Sequence, residues 1–377
     1  MDFSRLDQFL VGLEQYGMAG TDICIYLDNK LVHRHTNGLA DREKNIPITD
    51  KTLSRFFSMT KPITCVAMLQ LYEQGKFLLS DPVSLYLPEF GNTFIHHRKA
   101  QPSGPITMEH LFTMTSGLSY DLETAPLKKL YAEKPDFTTR DFVKAVAASP
   151  LLFEPGERWY YSLAHDVLAA CVEVISGMRF SDYLKKNIFD PLGMTDCYFW
   201  LPEELKDRSA VRYQYDMANH QFILPKAEEN ARYNMYQRSP NFESGGAGLT
   251  TTVDSYAKFA KMLTNMGVGE NGVRIISKGT LELMRENHLT PEQQHYFNWI
   301  QFQGYGYGLG VRTLVSRAVA GSNGSIGEYG WGGAAGTYFL ADPAKKLTVV
   351  YAQQREPNEE EYVQPRLRNI IYACLDD

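Results

Sequence analysis

Residues with strand character collect at the two ends of this chain while helical periodicity fills the middle, and this distribution restricts the fold more than any other feature of the sequence. At the start, Phe3, Leu6, Phe9, Leu10 and Leu13 recur at helical spacing, and Gly17 and Gly20 end that run. Two strand-like runs follow, 22–27 and 30–35, joined at Asp28-Asn29, with Asn37-Gly38 as the next turn. At the far end 305–313, 337–340 and 347–353 read as strands separated by glycine-rich turns, and 360–374 reads as a terminal helix. Between about 62 and 265 helical spacing dominates, as in 63–72, 142–148, 166–175 and 255–266. A sheet assembled from both termini with helices inserted midway is the α+β pattern. The expected division is an α/β domain over 1–70 and 235–377, with a central antiparallel sheet flanked by helices, and a mostly helical domain over 71–234. The tyrosine-rich stretch 213–236 lacks clear periodicity and reads as a loop, a candidate cleft wall.

Composition removes several classes of function. With 377 residues, 44% of them hydrophobic, the chain can bury a sizeable core without disulfide staples. Cys24, Cys65, Cys171, Cys197 and Cys374 are odd in number and never at metal or redox spacing, so they read as small core residues. A net charge of −6 with no Lys/Arg cluster lacks the electrostatic footprint of nucleic-acid binding. No apolar run approaches the roughly 18 residues of a spanning helix, and the likeliest stretch, 167–178, is broken by Glu173. The opening Met1-Asp2-Phe3-Ser4-Arg5 has an acid where a signal peptide needs positive charge, so the expected location is the cytoplasm.

Chemistry enters with Ser58-Met59-Thr60-Lys61, followed by Pro62 and an apolar helical run. This places Ser58 at a helix start, with Pro62 in the first turn where a missing N–H costs little. One turn brings Lys61 back beside Ser58. A serine hydroxyl is a poor nucleophile until its proton is taken, and lysine can take it only if its pKa falls well below about 10.4; burial and the positive helix end both push it down. The same helix start aims the Ser58 backbone N–H at a developing oxyanion. Alone the spacing is weak, since about one SxxK arises by accident in a chain this long. Ser255-Tyr256-Ala257-Lys258 reads as such an accident, on the solvated face of a helix.

Two further segments add weight. Residues 153–162 (FEPGERWYYS) deliver Tyr161 from a Pro-Gly turn just before a helix, a placement suited to proton transfer in a cleft; the alternative is an aromatic core residue. Residues 329–337 (YGWGGAAGT) precede a strand, and their small side chains let backbone approach a ligand, or simply form a tight strand-edge turn.

In order and spacing these segments, together with 106–118 (ITMEHLFTMTSGL), 188–195 (IFDPLGMT), 245–252 (GGAGLTTT) and 307–311 (YGLGV), resemble the serine β-lactamase and penicillin-binding-protein superfamily. The likeness is to class C β-lactamase-like hydrolases and family VIII carboxylesterases, and it runs almost end to end. It implies a β-lactamase/transpeptidase-like fold, Ser58 as the acylated nucleophile, Lys61 as its partner in proton transfer, and Tyr161 as the phenol that helps activate serine and protonates the leaving group. It puts Trp331-Gly332-Gly333 where penicillin-recognising enzymes carry KTG, and gives Ala334 the second oxyanion N–H, beside that of Ser58.

Two departures bear on substrate. Trp331 stands where KTG enzymes place a lysine toward the substrate carboxylate, and Leu163 follows Tyr161-Ser162 where an asparagine amide is usual. Both favour small neutral esters, so the expectation is a carboxylesterase with at most slight β-lactamase activity. β-Lactamase or D-amino-acid peptidase action, acyl transfer to an alcohol, and a non-catalytic binding scaffold remain the alternatives. The partner is a small-molecule ester or amide; oligomeric state is not legible. Other machinery is missing: there is no GxSxG, HExxH or GxxxxGK[ST]. His33 and His35 share a strand face and His96-His97 are adjacent, but no third ligand is in view, so they read as surface histidines, and neither metal nor cofactor is expected.

Overall fold

The structure, a computed structural model, describes residues 1–96, 100–226, 236 and 238–376. Its centre is an eight-stranded sheet, antiparallel throughout. The N-terminal strands are β1 (Gly20–Leu27), β2 (Lys30–Asp41) and β3 (Ile46–Pro47). The C-terminal strands are β9 (Tyr305–Tyr307), β10 (Arg312–Leu314), β11 (Tyr329–Gly332), β12 (Tyr338–Asp342) and β13 (Leu347–Gln353). They meet where β1 pairs with β13, in the order β3-β2-β1-β13-β12-β11-β10-β9.

Because side chains alternate across a strand, the sheet buries two different faces. Ile23 and Ile25 of β1, with Val349 of β13, face an outer layer made by α1 (Ser4–Gly12) and a C-terminal helix, where Leu6, Leu10, Leu367 and Ile371 complete a small core. Cys24, Val350 and Phe339 face the other way, into the larger core of the inserted helices. There α2 (Thr60–Glu73) packs against α4 (Ala164–Ser176), and α5 (Val253–Thr264) against β13; α3 (Thr139–Ala147) also packs on α4. The C-terminal helix is α6 (Glu360–Leu375). Ile63, Val66, Ala67, Met68 and Leu69 are all fully buried, so α2 is apolar nearly all round, as a helix at the centre of a core must be.

A small sheet, β4 (Ser54–Arg55), β8 (Thr250–Thr251) and β5 (Cys197–Tyr198), ties three distant stretches together just ahead of Ser58. It lays the 245–252 segment beside the start of α2.

Several expectations need correction. Asn37-Gly38 is no turn, for β2 runs on to Asp41. Gly38 instead takes φ +75° within the strand, and a Cβ there would lie 2.3 Å from the Ala19 carbonyl oxygen. The run 305–313 is two strands, since Gly308 N–H bonds back to the Val311 carbonyl at a reversal. Residues 329–332 form a strand of their own rather than a turn before one. The 213–236 stretch contains a hairpin, β6 (Tyr213–Asp216) and β7 (Gln221–Ile223), with β14 (Arg355–Glu356) parallel to β6. The remainder of that stretch, 227–235, lies outside the described residues, as does His97. Ser255 is buried rather than solvated, its hydroxyl 3.4 Å from the Asp196 N–H. Among the described residues no disulfide joins the five cysteines, of which four are buried and Cys197 is half-buried. Among the described residues no helix is long and apolar enough to cross a membrane.

Candidate active site

Ser58 sits in a single tight turn, 57–59, that leads directly into α2, and Pro62 falls in that helix's first turn as expected. The preceding Phe57 has φ +45°, a left-handed conformation that costs a non-glycine residue of order 1–3 kcal/mol and persists only where neighbours over-determine it. Those neighbours are present. Phe56 N–H donates to the Leu249 carbonyl at 2.9 Å, and the Phe56 carbonyl accepts from Thr337 Oγ1 at 3.1 Å. Thr60 Oγ1 donates to the Phe57 carbonyl at 2.6 Å and accepts from Leu249 N–H, while Tyr256 Oη donates to the Met59 carbonyl at 2.8 Å. The serine is held by β8's approach, the β11–β12 hairpin and α5 together.

The turn of helix does bring Lys61 back: its Nζ donates to Ser58 Oγ at 3.1 Å and to the Gly246 carbonyl at 2.8 Å. Lys61 is completely buried and Ser58 nearly so. Tyr161 Oη donates to the same Ser58 oxygen at 2.5 Å. Trp331 Nε1–H points to the Tyr161 oxygen at 3.4 Å, so the tryptophan offers more than an apolar face. The three side chains named from the sequence converge on one oxygen.

The electrostatics of Lys61 differ from expectation. Burial alone would lower its pKa, but the oxygens of Tyr120 and Tyr161 and the carboxyl of Asp166 outweigh burial and hold it above the ordinary lysine value. Nζ also lies 4.5 Å from the Tyr161 ring centre and 5.4 Å from that of Tyr120, over the negative faces of both. Lys61 donates to both of its partners, and the lowered lysine pKa expected from the sequence is not what its neighbours produce. Asp166, its own carboxyl raised by burial, accepts from Ser244 Oγ and from the Gly246 N–H. It thereby fixes the residue whose carbonyl Lys61 holds. A Cβ at residue 246 would stand 2.5 Å from an Asp166 oxygen, so only glycine allows this approach.

These groups open onto a cavity of about 360 Å³. Ser58, Gly332, Gly333 and Ala334 line one side; Tyr120, Tyr161, Trp299, Phe302 and Trp331 make an aromatic wall. Tyr120 stacks on Tyr161 at 5.3 Å and 6°, and Trp159 and Tyr307 back the wall through edge contacts to Trp299 and Trp331. Ala334 is exposed at the turn between β11 and β12, while Leu163 is buried in the core and does not line the cavity. No lysine or arginine is among the described lining residues.

The rim carries Glu356 and Glu360. Glu356 pairs with Arg212 at 3.3 Å. Burial pushes the Glu360 carboxyl up to about 7. Sequence reasoning missed Tyr120, Asp166, Trp299, Phe302 and Glu360 as parts of the site. Residues 245–252 did carry a signal, in the unbroken glycine-rich motif, but its role as the Lys61 acceptor becomes visible only once β4 and β8 pair. Away from the cavity, Asp7, His33 and His35 come together, so a third side chain of ligand type, not visible in the sequence, stands beside the two histidines.

Comparison with known proteins places the chain in a family. Residues 6–373 match the model of the family described as Beta-lactamase. Protein Rv1367c of Mycobacterium tuberculosis is 32% identical over 359 residues, covering 90% of this chain and 87% of that protein. Esterase EstB of Burkholderia gladioli is 30% identical over 367 residues, covering 92% and 89%. Among solved structures, EstCE1, described as a hydrolase with promiscuous acyltransferase activity, superposes with a TM-score of 0.79 at 26% identity, over 98% of this chain and all of that one. The sheet and helices are the β-lactamase/transpeptidase fold of these neighbours. On a match that spans almost the whole chain, this protein belongs to the beta-lactamase family of serine hydrolases.

Proposed function

We propose that this protein is a carboxylesterase that turns over small uncharged esters through an acyl-enzyme on Ser58. The observation that carries the reading is the convergence of Lys61 Nζ and Tyr161 Oη on Ser58 Oγ at the floor of an aromatic cavity whose described lining has no cation. In the first half-reaction the Tyr161 hydroxyl acts as a relay: as Oγ attacks the ester carbonyl, its oxygen takes the Ser58 proton while its own hydrogen moves toward the ester oxygen that will leave, and the nearby Lys61 ammonium stabilises the negative charge developing on Ser58 Oγ. The backbone N–H groups of Ser58 and Ala334 receive the oxyanion. Collapse breaks the ester C–O bond and the leaving alkoxide takes the proton from Tyr161. A water then attacks the acyl-enzyme by the same proton route, releasing the acid and restoring Ser58.

Trp331 supports the choice of a neutral ester, because an indole offers no charge to a carboxylate and its N–H is engaged with Tyr161. The identity to Esterase EstB supports it as well. An acceptor alcohol in place of water gives acyl transfer, a second reading favoured by the likeness to EstCE1 and, at 29% over 265 residues, to Acyltransferase mokF of Monascus pilosus.

The test is Ser58→Ala, which is expected to abolish hydrolysis of p-nitrophenyl butyrate while leaving the thermal melt intact. Fluorophosphonate should label the parent at Ser58 and spare the variant. Retained activity in a folded Ser58→Ala chain would reject the mechanism. Faster turnover of nitrocefin or a D-Ala-D-Ala peptide than of the butyrate would reject the substrate class instead.

A further inference from the structure

Asp7, His33 and His35 lie together on the outer face of the sheet. His33 and His35 are two apart on β2, so their rings leave the sheet on one side. Their ladder partners, Ile25 and Ile23, belong to the apolar layer under α1, which fixes that side as the one α1 covers. Asp7 follows the buried Leu6 on α1 and meets both rings: Oδ1 lies 2.8 Å from His33 Nε2 and 2.9 Å from His35 Nδ1. The three donor atoms all fall within 4.8 Å of one another. Phe3 stacks on the His33 ring at 4.5 Å, and the two imidazoles lie nearly parallel, so the set is held by packing rather than free in solvent. Side-chain exposure is 13% for His33, 20% for His35 and 39% for Asp7, enough for an ion to enter.

We propose that Asp7, His33 and His35 bind a divalent transition-metal ion, zinc by the chemistry of the donors, and that the ion clamps α1 to β2. Two imidazole nitrogens and one carboxylate oxygen are a zinc ligand set, with a fourth position left to water. Bonds of about 2.0–2.2 Å in a tetrahedron require donor separations near 3.3 Å. The present N···O spacings therefore need to open by a few tenths of an ångström, and the two nitrogens, now within 4.8 Å, to settle at the same separation. The carboxylate oxygen that now stands within 3 Å of both rings becomes a ligand, and each imidazole turns a lone pair toward the ion. The second nitrogen of His35 is buried without a partner among the described residues, so the outer hydrogen bond that tightens such sites is missing on that ring, and micromolar affinity is the expectation. The catalytic serine belongs to the opposite face of the sheet, so the ion acts on stability and leaves ester turnover unchanged.

The experiment uses the untagged full chain, stripped with EDTA and titrated with zinc chloride by calorimetry at neutral pH. One zinc per chain, a rise in melting temperature with zinc, and a visible cobalt(II) spectrum from nitrogen ligands are expected; magnesium should not compete. His33→Ala and His35→Ala should each weaken zinc at least about tenfold, since loss of mere outer support already costs 10–100-fold. His33→Gln keeps a hydrogen bond to Asp7 but is a poor ligand, so it should also lose zinc while its metal-free melt stays near the parent's. A parent chain that takes up no zinc, or variants that bind it as tightly as the parent, would overturn the proposal and leave the triad as a hydrogen-bonded latch.

Discussion

Tyr161 and Lys61 touch the same serine oxygen but are not equivalent. With Lys61 held above the ordinary lysine value, the proposed mechanism relays the Ser58 proton through the Tyr161 hydroxyl rather than giving it to the amine. Tyr161→Phe removes only that oxygen and should lower kcat by about 10²–10⁴ with little change in KM, read from p-nitrophenyl butyrate kinetics. A lysine base would predict instead that Tyr161→Phe costs little. Glu360 supplies a second residue-scale prediction. Its carboxyl sits at about 7 in the fold against an ordinary 4.5, raised by burial. Between those values the folded chain holds a proton that the unfolded chain has lost, so this group's contribution is complete below about 4.5 and declines as pH rises to about 7. Glu360→Gln should therefore melt higher than the parent above pH 7, with the gap closing toward pH 4.5, in paired thermal melts. The ordering of Ser58, Lys61 and Tyr161 was legible because each lies in a local motif. The sign of the Lys61 shift was not, since Tyr120 and Asp166 reach the lysine only through tertiary contact.

Elements rather than residues decide whether the proposed oxyanion groups meet. Gly333 ends the β11 arm of the hairpin, and a Cβ there would lie 2.3 Å from the Phe56 carbonyl oxygen and 2.1 Å from Thr337 Oγ1. The hairpin can approach the strained 56–60 segment only with glycine at this place. Gly333→Ala should push the two apart, and a misplacement near 1 Å costs about 10²-fold in turnover. The expected result is a large loss of kcat in a chain that still folds and still takes the fluorophosphonate label, more slowly. A parent-like kcat would mean that the hairpin absorbs the methyl without moving Ala334. The same elements mark the limit of sequence reading. The long helices and the strands β1, β12 and β13 carry enough periodicity to be seen, whereas β11 is hidden because Gly330 and Gly332 interrupt any strand signature. Likewise β2 looks terminated at Asn37-Gly38, although Gly38 serves a close approach to Ala19 within the strand. Strand propensity cannot distinguish a glycine that turns the chain from one that lets two backbones touch.

For the whole molecule, the alternation of side chains across one sheet separates stability from chemistry. The α1/α6 layer closes a core on the face away from Ser58, and the larger core of the inserted helices carries the aromatic wall. Leu10 is fully buried in the outer layer among residues that do not line the cavity. Leu10→Ala should cost about 2–5 kcal/mol, the loss of a buried leucine with incomplete collapse of the space it leaves. That is a large share of a typical stability of 5–15 kcal/mol, so the shift should be plain in urea denaturation. Turnover per folded molecule should nonetheless stay within about twofold of the parent, because neither the 56–60 segment nor the β11–β12 turn rests on Leu10. A drop in kcat that tracks the loss of stability would show that the two faces of the sheet are coupled. In that event the outer core, as well as the pinning contacts around Phe57, would help to position Ser58.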